Sequence, residues 1–287
     1  DNHETLEAIF REAPVNIVTH CEDTPTIIKN EKAIIAEYGE DIDASFHPRI
    51  RNTESCLKSS QLAHDLATKH GSNLHILHLT SADEMKLFSE GNITDKKITA
   101  EVCVHHLFFS EVDYETKGNF IKCNPSVKSE QDRLALIDAV QKNKIDIIAT
   151  DHAPHTLEEK QQPYLQAPSG LPLNQHSLLV LLDFYAKDIF SLEQIVQKTS
   201  HNIAERFQIK DRGYIREGAF ADLVIIDLSA KTLVTNENIL YHCGWSPFLG
   251  YTFPSAVRHT IINGEIVLQD GVLNEQLPIG SRIEFNR

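Results

Sequence analysis

No stretch of 18 apolar residues occurs in this chain, so the sequence offers no membrane-spanning helix. No Cys-x-x-Cys pair occurs either. The five cysteines, Cys21, Cys56, Cys103, Cys123 and Cys243, are odd in number and irregular in spacing, which reads as a chain of the reducing cytoplasm and not as a disulfide framework. There is no basic block: 27 Lys and Arg stand against 41 Asp and Glu, giving a net charge of −14 without a long acidic run. That balance argues against nucleic acid or an anionic membrane as a partner. An initiator methionine is missing, and the start, Asp1 to Thr5, has neither the basic nor the apolar region of a signal peptide. Internal repeats and low-complexity segments are absent as well. What is present is a chain of 287 residues, 41% hydrophobic, with enough apolar material for one large domain or two modest ones.

The chemistry is concentrated behind short apolar runs. Ile145 to Ile148 leads into Ala149-Thr150-Asp151-His152-Ala153-Pro154-His155, a strand that delivers an aspartate and two histidines at its end. Asn16 to Thr19 ends in His20, Leu74 to Leu77 ends in His78, and Ile98 to Val104 ends in the pair His105 and His106. Each run has the length of a buried strand. Segments of helical pattern follow over 26–38, 81–88, 130–141 and 178–187. Strands alternating with helices predict a parallel sheet with right-handed crossovers. One histidine at a strand end is most simply a satisfied polar cap. Three histidine-bearing ends and one aspartate-bearing end in series instead suggest a metal-assisted hydrolase, because the C-terminal strand ends of a β/α barrel carry its chemistry. Cys21 follows His20 and points to the opposite face, as a packed thiol.

The alternation occupies residues 1–205 and is closed by an amphipathic helix over 192–207. Residues 206–287 change character. Gly213 to Asp227 reads as a strand, a glycine-bearing turn and a strand. Ala256 to Gln269 reads as a hairpin turning at Asn263-Gly264, with another turn at Asp270-Gly271. The expectation is a β/α unit over 1–205 that carries the site and a small β-rich domain over 206–287. Four β/α units do not close an eight-stranded barrel. The sheet is therefore either open or the second half of a (β/α)8 TIM-type barrel, and the abrupt start favours the half barrel.

These residues resemble the dihydroorotase family of the amidohydrolase superfamily, in a match that is dispersed but ordered. Thr150 to His155 resembles the signature after the eighth barrel strand. His20 in His20-Cys21-Glu22-Asp23 and His78 in Ile76-Leu77-His78-Leu79 resemble the metal histidines after strands five and six. Ala100-Glu101-Val102 before His105-His106-Leu107 resembles the strand-seven segment. Ile121 to Pro125 with Asp132-Arg133 resembles the substrate loop, and Asp222-Leu223-Val224 and Ser246-Pro247-Phe248 the C-terminal part. Two departures are small: Val104 stands where proline is common, and Ser126-Val127-Lys128 where Pro-Leu-Arg is common. Lys128 cannot copy a bidentate arginine. One departure is large. The family's His-x-His after the first strand is found nowhere here, and no bridging lysine can be placed, so the chain is expected to lack half of a binuclear site and to be inactive alone.

The resemblance implies reversible hydrolysis of the cyclic amide of L-dihydroorotate to N-carbamoyl-L-aspartate. His20 and His78 would bind Zn2+ as neutral imidazoles. Asp151 would ligate the metal and serve as general base and then general acid. His155 would hold the substrate carboxylate, Asn124 would hydrogen-bond the ring, and backbone near Pro168 and Gly170 would complete the pocket. A site for uncharged rings has less use for His155. His105 and His106 could ligate a metal on the residues alone, but the family pattern does not use them so. Glu101 is expected to pair within the barrel, and His152 to be structural. Alternatives are another cyclic amidohydrolase, an allantoinase or dihydropyrimidinase, or a non-catalytic dihydroorotase-like subunit that binds a partner such as an aspartate transcarbamoylase. The family also implies a small-molecule substrate and a possible homodimer.

Overall fold

The structure is a computed structural model that describes residues 2–276 and 280–286. The chain divides into two compact units, Asp1–Asn174 with Tyr241–Pro247, and Gln175–Leu240 with Phe248–Arg287.

The first unit is built on strands β1 (Ile17–Thr19), β2 (Leu74–Ile76), β3 (Ile98–Cys103) and β4 (Ile147–Ala149). They lie in the order β1-β2-β3-β4 and all pairs are parallel, with Ile17 opposite Leu74, Leu74 opposite Ile98, and Glu101 opposite Ile147. Leu74, Ile76, Ala100 and Val102 are buried completely, as expected of central strands covered on both faces. Helices Thr24–Tyr38 and Glu130–Gln141 form where the periodicity predicts them, each opened by a side chain that caps a free backbone N–H: Asp23 accepts from Thr26 and Ser129 from Asp132.

Two connections differ from expectation. The longest helix, Thr53–His70, has no counterpart in the sequence reading. Its buried face includes Ser55, Cys56, Ser60 and Ala63, small or polar residues that blur an apolar stripe. Conversely, the helical pattern over 81–88 yields only a 3-10 turn, Glu84–Leu87. The cause is Glu84. Its buried carboxylate accepts from the Ser81 backbone N–H at 3.1 Å, the Ser81 hydroxyl at 2.8 Å and the Ser60 hydroxyl at 2.6 Å. Backbone groups that satisfy a side chain in this way are drawn out of the helical ladder.

The second unit carries strands β5 (Leu223–Asp227), β6 (Thr232–Leu233), β7 (Thr252–Phe253), β8 (Ala256–Ile262), β9 (Glu265–Gln269) and β10 (Val272–Leu273). An antiparallel sheet runs β10-β9-β8-β5, and β6 pairs with β7. The β8–β9 turn falls at Asn263 and Gly264, both with positive φ (53° and 89°), the conformation for which Asn-Gly is selected. Of the segment 213–227, only Leu223–Asp227 is a strand. The helix expected over 192–207 is interrupted by a π-turn at Gln197–His201, between Leu192–Val196 and Asn202–Phe207. There the Thr199 hydroxyl donates to the Ile195 carbonyl at 2.7 Å, a back-bond that bends helices.

Candidate active site

Parallel pairing puts every C-terminal strand end of the first unit on one edge. His20 directly follows β1, while His78, His105 and Asp151 each stand two residues past β2, β3 and β4. His78 (φ 38°) and Asp151 (φ 48°) both have left-handed backbone. That region is sterically costly for a side-chain-bearing residue and gathers at functional sites.

His20 Nδ1 lies 2.9 Å from His78 Nε2, and His20 Nε2 lies 3.1 Å from Glu22 Oε2. With its Nε2–H given to Glu22, His20 accepts from His78 through Nδ1. His78 Nδ1 then remains a buried nitrogen without a hydrogen-bond partner among the described residues. Arg51 also pairs with Glu22. Burial opposes ionisation of Glu22, but the His20 hydrogen bond and the Arg51 charge outweigh it and hold the carboxyl below its ordinary range. Burial, then the neighbouring His20, push the His78 imidazole down, while Asp151 and Glu101 pull it upward. The His20–His78 pair, with its orphaned buried nitrogen, offers donors that fit a divalent cation of the zinc type, whereas the exposed Asp151 carboxylate is not brought within 4.8 Å of both.

The remaining expected residues form a second group joined to the first through the segment Asp151–His155. His155 donates through Nε2–H to the Ser169 carbonyl at 3.1 Å, and its Nδ1 is 3.8 Å from Glu159. Trp245 Nε1–H donates to the His155 carbonyl at 2.8 Å. The Gly170 N–H donates to the Lys122 carbonyl at 2.9 Å, and Ala153 N–H to the Leu171 carbonyl at 3.0 Å. Lys160 is buried, and its ammonium donates to the carbonyls of Lys122 at 3.2 Å, Pro168 at 3.0 Å and Gly170 at 3.0 Å. Burial brings its pKa down to about 8. One cation thus ties the Asn124 loop to the Pro168–Gly170 loop. Asn124 is half-buried, and its Oδ1 has no hydrogen-bond partner among the described residues.

His47 fixes the Asn124 loop from behind. Its Nε2–H donates to the Cys123 carbonyl at 2.7 Å, so its Nδ1 accepts the Tyr164 hydroxyl at 2.8 Å. Burial depresses its pKa from 6.5 to about 3. A folded-state value below the unfolded one means stability that is fully present above about pH 6.5 and lost as pH falls toward 3. The urea midpoint is therefore expected to decline on acidification from pH 7.5 to 4.5. A midpoint that stays level over that range would show that His47 is not held neutral.

Several supporting residues escape a reading of the sequence. Glu22 is two residues from His20, on the same face of an extended segment, and that spacing was the available signal. Arg51, His47, Lys160 and Trp245 are brought in from distant segments and carry no local signal. Glu101 pairs with His75 at 3.1 Å, and His152 Nδ1 accepts the Leu173 N–H at 2.9 Å. Lys128 Nζ donates to the Thr80 hydroxyl at 2.8 Å and reaches the Ser126 hydroxyl at 3.3 Å. Among the described residues, one group of three His, Cys, Asp or Glu side chains has its donor atoms within 4.8 Å of one another: Cys103, His105 and His106.

A parallel β/α sheet with imidazoles and a carboxylate at its C-terminal strand ends belongs to the TIM-barrel class that houses metal-dependent hydrolases. The chain is a member of the amidohydrolase family, whose model matches residues 2–267. It is similar to the dihydroorotase of Fusobacterium nucleatum, 33% identical over 272 residues that cover 92% of this chain and 61% of that protein. The dihydroorotase of Anoxybacillus flavithermus is 34% identical over 260 residues, covering 89% of this chain and 58% of that protein. The chain thus spans about 60% of the length of these curated relatives. Among solved structures, the L-hydantoinase (dihydropyrimidinase) of Arthrobacter aurescens superposes with a TM-score of 0.87 at 25% identity, covering 98% of this chain and 63% of that one. The dihydropyrimidinase of Brevibacillus agri shares the fold at a TM-score of 0.84 and 20% identity, over 95% of this chain and 61% of that one. No helix among the described residues is long and apolar enough to cross a membrane.

Proposed function

We propose that this chain carries the metal-binding and substrate-binding residues of a dihydroorotase, which opens L-dihydroorotate to N-carbamoyl-L-aspartate and closes it again. The observation that carries the reading is the direct His20–His78 contact at 2.9 Å, with Asp151 past the end of β4 on the same edge of the sheet. His20, His78 and Asp151 would hold a divalent cation, Zn2+ by donor type, and such an ion would polarise the amide carbonyl and acidify water. Asp151 removes the proton of the attacking water. As the ring C–N bond breaks, the same carboxyl delivers that proton to the leaving nitrogen. His155, pinned by Ser169 through Nε2, has Nδ1 left to meet the substrate carboxylate. The unpartnered Oδ1 of Asn124 accepts a ring N–H. Pro168 and Gly170 contribute shape, since their carbonyls are engaged by Lys160.

A second reading, a hydantoinase-type ring hydrolase, is favoured by the superposition on L-hydantoinase. Turnover of dihydroorotate against dihydrouracil and hydantoin, measured with the His-x-His-bearing part of the family fold supplied, separates the two. The proposal expects dihydroorotate to be preferred by at least about 100-fold in kcat/KM, and the preference to fall in His155→Gln, because a site built with a half-buried donor for a charged group discriminates against rings that lack one. Equal turnover of the uncharged rings would favour the hydantoinase reading. No turnover of any ring with both Zn2+ and that part supplied would favour a non-catalytic subunit. The reading extends to a site-bearing β/α part over 1–205 with a β-rich module over 206–287, to the cytoplasm, and to a homodimer that size-exclusion chromatography with light scattering would reveal.

A further inference from the structure

We propose that Cys103, His105 and His106 form a second cation site, distinct from the His20–His78–Asp151 group, which takes a soft or borderline ion such as Zn2+ or Cu+ through one thiolate and two imidazoles. Cys103 is the last residue of β3, and the two histidines lie in the short helix Val104–Phe108 that begins directly after it. The reversal from strand to helix folds positions 103, 105 and 106 onto one spot. Their donor atoms lie within 4.8 Å of one another. Donors bound to one zinc-type ion sit roughly 3.5–4 Å apart, so closing the site needs a movement of about 1 Å.

The hydrogen bonds of these rings point the same way. His106 donates through Nε2–H to the Pro125 carbonyl at 3.1 Å. That bond fixes the tautomer and leaves Nδ1 with a free lone pair, buried and without a partner among the described residues. An imidazole whose far N–H is anchored on a backbone carbonyl is the usual support of a metal ligand. His105 is more exceptional: both of its ring nitrogens are buried and lack a hydrogen-bond partner among the described residues. All three side chains are buried to 3% exposure or less. Unsatisfied buried nitrogens are rare in folded proteins because each one forfeits its hydration, and a bound cation would take up these lone pairs. The donor set selects the ion. A sulfur and two imidazoles with no carboxylate among them suit thiophilic cations and not Mg2+ or Ca2+. The thiol proton leaves to solvent when the ion binds. A water molecule could satisfy a ring nitrogen, but it would give none of the signature below.

Cobalt(II) is the probe. Titrating the metal-free chain with Co2+ is expected to produce, at one equivalent, the near-ultraviolet absorption of sulfur-to-cobalt charge transfer. The histidine and aspartate group contains no sulfur, so it cannot contribute that band. The band should vanish in Cys103→Ser and persist in the His20→Ala/His78→Ala double variant. Should Cys103→Ser fail to fold, His105→Gln serves instead and should weaken the cobalt affinity by at least tenfold. Absence of the band in the native chain would overturn the site, as would its survival in Cys103→Ser or its loss in the double variant. Turnover plays no part in this test, so its outcome is independent of the hydrolase reading.

Discussion

With the His-x-His-bearing part of the family fold supplied, Asp151→Asn is expected to lower kcat/KM for dihydroorotate opening by at least about 1,000-fold while leaving thermal unfolding nearly unchanged. The large effect follows from the two tasks assigned to one carboxyl group. An amide oxygen at this position cannot accept the water's proton, and having none to return, it cannot protonate the leaving nitrogen. It also ligates a cation less well than a carboxylate. The small effect on stability follows from the backbone. Asp151 is exposed and sits at φ 48°, a conformation that asparagine tolerates as readily as aspartate. An exposed substitution of this kind shifts stability by no more than about 0.5 kcal/mol. Rates and melting curves measured on the same preparations decide the matter. A variant that retains turnover within tenfold of the native chain would remove Asp151 from the proton path, and a variant that fails to fold would make its role structural.

How much of this was legible before the fold was known depends on how local each signal is. The four parallel strands could be read because each is a short apolar run with a polar chemical residue just past its end, and strand-end position is a local property. The hairpin at Asn263-Gly264 could be read because two residues specify its turn. His20, His78 and Asp151 could be singled out as candidates because each is the first or second residue beyond its strand. The parallel register then brings the two histidines into contact. What escaped is held by long-range partners. Glu84, whose carboxylate draws in the Ser81 backbone and is met by Ser60 from another helix, sits in a 3-10 turn where the pattern reads as helix. Lys160 reads in the sequence as an ordinary surface lysine after two glutamates. Only the closure of loops 122–124 and 168–170 around it turns it into a buried cation gripped by three carbonyls. His47 is likewise an unremarkable histidine until Tyr164 and Cys123, more than 70 residues away, arrive at its ring. His105 and His106 were visible as a pair that could ligate a metal, but Cys103 was not joined to them, because the significance of the group lies in missing partners, and hydrogen-bond satisfaction cannot be read from a sequence.

The other large effect is expected at Gly170, where the fold leaves no room for a side chain. Its φ of 142° is one that L residues rarely adopt, and a Cβ built there would stand 2.4 Å from the Ala153 carbonyl oxygen, 2.9 Å from the Ala153 Cβ and 3.1 Å from His155 Cδ2. The first obstacle is backbone, so no rotamer change relieves it. Gly170→Ala therefore combines backbone strain with overpacking, each worth about 1–3 kcal/mol, and a loss of about 3 kcal/mol in unfolding free energy is expected. The alternative to paying that strain is for the loop to move away from Ala153, which would also pull on the Lys160 ammonium and on the Ser169 carbonyl that orients His155. Either way the pocket suffers, so KM for dihydroorotate should rise by at least about tenfold, more than kcat falls, since Asp151 itself is not displaced. Gly91→Ala supplies the control. Gly91 also has a positive φ, 127°, but a Cβ there meets nothing within 4 Å. Its alanine variant should show the conformational penalty alone, about 1 kcal/mol, with KM unchanged. If both variants lose the same stability and neither alters KM, then the contact between Gly170 and the Ala153–His155 segment does not shape the substrate pocket.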